Sequence, residues 1–209
     1  MRAAGAWGID LTMPQSLVLA LHLRDAAGLD PPTSPLLPAL PPLDPPVRRL
    51  TAAGGLSGLD AASRQWADWW VERFPGGPDA LTSILPPGYP GLRGRTELRG
   101  VAELGMDEAV TWCTRVREVE KRVVTRSPSA LFETNLLEEV ERELGRRIRP
   151  FSLRVVVLPV AGAHAWDVLG QAVISLGLRA DRDAYLTWLR ERLVEIGRQR
   201  IARSEGQST

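Results

Sequence analysis

The chain has 209 residues, of which 44% are hydrophobic and 24% charged, and its formal net charge is +1. That length is ample for a buried core, and near-neutrality excludes a whole-molecule field drawing the protein to nucleic acid or an anionic membrane. One cysteine, Cys113, and two histidines, His22 and His164, exclude an internal disulfide framework, a CxxC redox pair and a multi-cysteine zinc site. Lys121 is the only lysine among 26 basic residues. A GC-rich genome explains that bias more cheaply than selection for bidentate anion recognition.

The start, Met1 to Asp10, carries one basic residue and an apolar run broken by Asp10, which is no signal peptide pattern. No stretch approaches the ~18 apolar residues of a membrane span. A bacterial, cytoplasmic protein without membrane contact is the expectation. Leu17, Leu19, Leu21 and Leu23 alternate with other residues and predict a strand over 17–24, with His22 and Arg24 on its opposite face. A helix from about Pro14 is the alternative, since Leu and Ala are good helix formers.

Eight prolines fall in residues 31–46. They remove backbone donors and fix φ, so this stretch is expected to be an extended connector. Its interleaved Leu36, Leu37, Leu40 and Leu43 suit a path along the domain surface. Pro38-Ala39-Leu40-Pro41 matches the PxxP pattern of SH3-type ligands, a match that chance supplies wherever proline is dense.

Asp60 to Phe74 predicts a helix capped by Asp60 and stopped by Pro75-Gly76-Gly77-Pro78, with Trp66, Trp69, Trp70 and Phe74 on one face. Residues 76–105 are rich in turn formers and predict loop or short edge strand. Asp107 is expected to open another helix, with Val110, Cys113, Val116, Val119 and Val123 as its apolar stripe and Ser127-Pro128 as its end. Asn135 and Glu138 form a capping box for a helix to about Arg147. The β-branched run 153–158 predicts a strand, and 165–168 and 171–176 predict two more around a Leu169-Gly170 turn. Asp181 can cap a final helix burying Tyr185, Leu186, Leu189, Leu193 and Ile196. The expected fold is a single α+β domain over 1–209. Its small, mostly antiparallel sheet, built from the C-terminal strands and joined by 17–24 where that stretch is a strand, packs on about four helices, with a basic tail at 198–209.

Few residues offer chemistry. In a strand beginning at His164, that residue and Trp166 share one face while Asp167 points to the other, which works against a His–Asp couple. His164 as general base with Asp167 is nonetheless the one catalytic constellation the residue types permit, for an anionic small molecule. Neither a metal nor a cofactor is expected: His22, His164 and Cys113 lack zinc-ligand spacing, and Gly54-Gly55-Leu56-Ser57-Gly58 is neither a nucleophile elbow nor a P-loop. Arginines at 142–154 and 190–203 could touch phosphate, yet cations near helix C-termini are expected for electrostatic reasons. The preferred expectation is a non-catalytic accessory protein that binds a protein partner, or itself, through the Trp66, Trp69, Trp70 and Phe74 face.

Overall fold

In a computed structural model the described residues are 7–51, 57–126 and 130–205, with the side chains of 126, 130–131 and 199–205 excepted. Four strands form one sheet in the order β1 (Gly8–Thr12), β2 (Ser152–Leu158), β4 (Gln171–Ser175) and β3 (Ala165–Val168). β1, β2 and β4 run parallel, and only β3 is antiparallel, paired to β4. The α+β class stands, whereas the expectation of a mostly antiparallel sheet is corrected. The physical reason lies in β2 and β4, where Val155 to Leu158 and Ala172 to Ser175 are buried without alternation. Strands covered on both faces read as continuous apolar runs, the pattern of parallel pairing. The hairpin turn is as expected, with Leu169 (φ 54°) and Gly170 (φ 72°) both left-handed, as a tight two-residue connection requires.

Residues 17–24 are helical, which overturns the strand expectation: they belong to α1 (Gln15–Ala27), closed by Gly28 in the left-handed region. Leu17, Leu19, Leu21 and Leu23 are buried, and so are Val18, Ala20 and His22 between them. A helix enclosed all round has no polar face, so alternation along it carries no signal. α2 (Leu59–Arg73) lies where expected, though Asp60 sits in its first turn rather than capping it. The supposed loop at 76–105 instead contains α3 (Pro78–Ile84), a 3-10 turn (Pro90–Leu92) and the start of α4 (Thr96–Arg126). Gly100 and Gly105 disguised this 31-residue helix; a Cβ at Gly105 would meet Leu23 and Leu50, so the glycine allows α4 to approach α1. α5 (Ala130–Glu143) begins before Asn135, which removes the capping box. α6 (Leu176–Ala180) precedes α7 (Arg182–Glu205), and Asp181 caps α7 by accepting from the Ala184 N–H at 3.1 Å. Seven α-helices among the described residues replace the expected four. Met1 to Ala6, the glycine-rich 52–56, Ser127-Pro128 and tail residues 206–209 lie outside the described residues.

The sheet separates two apolar layers. α1, α2, α3 and α4 pack with Val156, Leu158, Val168 and Val173 on one side. α5, α6 and α7 pack with Leu153, Val155, Val157, Ala172 and Ile174 on the other. The proline-rich segment runs as a belt along the first layer, with Leu37 and Leu43 buried. Prolines leave carbonyls without companion N–H groups, and Arg24 supplies donors: Nη1 to Leu40 O (3.1 Å) and Nη2 to Pro41 O (2.7 Å). Asp25 pairs with Arg24 at 2.6 Å and accepts the Leu43 N–H at 2.6 Å. The belt then bridges to the segment after β2, where Asp44 N–H donates to Pro159 O and Ala161 N–H to Pro42 O. These contacts engage the carbonyls of the PxxP stretch within the fold.

Candidate functional site

The residues singled out from the sequence fall in different places. Trp66, Trp69 and Trp70 are at most 1% exposed and Phe74 is 9% exposed, so this face is core. Trp66 stacks on Trp70 at 5.0 Å between centroids and donates its Nε1 hydrogen to Ala20 O at 2.7 Å, tying α2 to α1. The packing leaves these rings no surface to offer a partner. The expectation missed this because an apolar stripe of tryptophans looks the same in a core as at an interface. His22 is sealed against Trp112 at 5.5 Å, with neither ring nitrogen hydrogen-bonded among the described residues, and burial is the main cause that lowers its pKa. Cys113 is buried, which pushes its thiol up to about 12, a protonated and unreactive form at neutral pH.

His164 is exposed at the entrance to β3, and its ring stacks on Trp166 at 5.3 Å. Ser175 braces this corner: its hydroxyl donates to Gly162 O at 2.8 Å and accepts the His164 N–H at 2.9 Å. Gly162 has φ 82°, and a Cβ there would strike the His164 ring. Trp166 and Val168 pack toward the first layer, and Asp167 points to the opposite face, where Arg192 of α7 binds both of its carboxylate oxygens. The structure therefore keeps His164 and Asp167 on opposite sides of the strand.

Asp167 opens onto a groove between β3 and α7. On α7, Trp188, Glu191, Arg192 and Glu195 recur at i, i+3, i+4 and i+7, which places them along one face. Ala165 and Asp167 from β3 and Ala172 from β4 lie beneath, and together these residues and Trp166 line a cavity of about 310 Å³. The two alanines create the space, since larger side chains at those sheet positions would fill it. Arg192 also donates to Glu195 at 2.6 Å, so its single positive charge faces two carboxylates. Glu191 is exposed and has no hydrogen-bond or ion-pair partner among the described residues. Three carboxylates against one guanidinium give the lining a net charge of −2. Trp188 is half-buried and packs on Tyr185 at 5.8 Å.

β3 is also an outer strand of the sheet. The Ser175 N–H donates to His164 O at 2.9 Å, which fixes the antiparallel alternation. Trp166 and Val168 therefore turn their backbone groups toward β4, while Ala165 and Asp167 turn theirs outward. Both outward residues are exposed. Sequence reasoning found His164, Trp166 and Asp167 but missed the groove, whose signal was the pairing of small residues at 165 and 172 with the 188, 191, 192 and 195 periodicity. The arginine clusters are partly spent within the fold: Arg190 pairs with Glu143, Arg192 with Asp167, and Arg146 donates to Gly197 O at 2.8 Å. No group of His, Cys, Asp and Glu able to hold a metal occurs among the described residues, and no helix among them is long and apolar enough to cross a membrane. Comparison with protein-family models, curated proteins and solved structures found no match for this chain.

Proposed function

We propose that this chain is a non-catalytic accessory protein that binds a protein partner, and that the partner docks as an extended segment along the outer edge of β3. The observation that supports this most is the outward turn of the Ala165 and Asp167 backbone groups beside an aromatic, charged groove. Strand addition draws affinity from main-chain hydrogen bonds and specificity from pockets under alternate side chains. Tryptophan and arginine, both present here, are enriched in protein interfaces. The surface differs from the Trp66–Phe74 face, while the class of function is the same.

Catalysis by His164 on an anionic substrate has less support. Its imidazole faces away from Asp167, and the cavity on the Asp167 side of the strand is not lined by His164 and holds three carboxylates, which disfavours an anion there. Ala165→Pro tests the docking reading, because it removes an outward N–H and no hydrogen bond to β4. Affinity purification from the native host, read by quantitative mass spectrometry, should lose a defined partner with Ala165→Pro and keep it with Arg198→Ala. Retention of every partner by a folded Ala165→Pro protein would overturn the reading.

A further inference from the structure

We infer that the segment docking on β3 presents an arginine or lysine side chain that enters the β3–α7 groove. This rests on the reading of β3 as a docking edge and specifies the chemistry of its occupant. The groove lies directly under the outward edge, because Ala165 and Asp167 supply both the edge backbone groups and part of its lining. A strand added beside β3 directs alternate side chains to the α7 side of the sheet, where the groove begins. A long side chain from such a position meets Trp188, Glu191 and Glu195.

Charge complementarity selects a cation. Arg192 already answers Asp167 and Glu195, leaving the Glu191 carboxylate without a counter-charge among the described residues. An entering guanidinium or ammonium would pair with Glu191. The Trp188 ring adds an aromatic wall, against which a cation is favoured over a neutral or acidic group. An acidic side chain would meet the same three carboxylates at close range, which is repulsive. A second copy of the chain has no described feature that singles it out as the occupant.

The test is selection of a displayed random heptapeptide library on the full-length protein, in parallel with the Ala165→Pro and Glu191→Lys variants. Glu191 is exposed on a helix, so its substitution leaves the fold in place. Peptides recovered by the wild-type protein should be lost on Ala165→Pro and carry Arg or Lys at one fixed position. Synthetic versions should bind Glu191→Lys roughly tenfold more weakly. Selection on Glu191→Lys should shift that position toward Asp or Glu. Peptides that need Ala165 but show no basic preference would overturn this inference while leaving β3 as a docking edge. Peptides that bind Ala165→Pro equally well, or recovery of none, would overturn both.

Discussion

The two faces of the sheet treat tryptophan in opposite ways. On one, α1, α2 and α4 bring Trp66, Trp69, Trp70 and Trp112 together with leucines until none has surface to spare. On the other, Trp188 of α7 lines a cavity together with Ala165 and Ala172. A tryptophan's availability thus depends on the size of the residues facing it rather than on its own helical spacing. The same contrast extends to polar groups. The first face buries the His22 nitrogens and the Trp69, Trp70 and Trp112 indole N–H groups without partners among the described residues, whereas the groove holds its charges where water can reach them.

Substitutions should separate the faces by size of effect. Trp69→Ala empties a fully enclosed site and should cost about 3–5 kcal/mol in urea unfolding, against roughly 1–2 kcal/mol for Trp188→Ala. Equal costs would erase the distinction. Arg24→Ala should cost about 2–3 kcal/mol, since it strips two belt carbonyls of their donors and leaves Asp25 in a partly buried position. Limited proteolysis should then cut within 36–43. A loss under about 0.5 kcal/mol would show that the belt is held by its leucines alone.

The next effect depends on pH. His22 is neutral in the folded protein because burial lowers its pKa, opposed by Glu108 and Asp25, while the unfolded chain titrates near 6.5. Stability from this group is therefore complete above about pH 6.5 and is lost as the unfolded state takes up the extra proton at lower pH. The slope should reach up to about 1.4 kcal/mol per pH unit, measured from urea midpoints between pH 5 and 8. His22→Leu should remove that component; an unchanged slope would mean that other groups govern it. Smallest of all, Glu191→Lys should change stability by no more than about 0.5 kcal/mol, because its carboxylate is exposed and has no partner among the described residues.

Much of the second layer was legible before the structure. Strands β2, β3 and β4, the Leu169-Gly170 turn and the Asp181 cap all follow from local chemistry that the final fold leaves undisturbed. The first layer was less readable because burial there is uniform. In α1 the residues between the leucines are as enclosed as the leucines, so the period of two had no meaning. Gly105 looked like a breaker and serves instead to bring α4 close to α1. β1 shows only Ile9 and Leu11 as an apolar pair, too short to stand out, and its pairing to β2 crosses most of the chain. Of the site, the opposite facing of His164 and Asp167 followed from strand geometry. The groove did not, because it requires knowing that α7 lies over β3.

The central claim is that the outer edge of β3 is open beside the groove. Amide hydrogen exchange of the free protein, resolved by residue, tests it most directly. The Trp166 and Val168 amides, turned toward β4, should be protected, and those of Ala165 and Asp167 should exchange almost as fast as in an unstructured peptide. Protection at Ala165 and Asp167 equal to that at Trp166 would show the edge to be covered and would contradict the account.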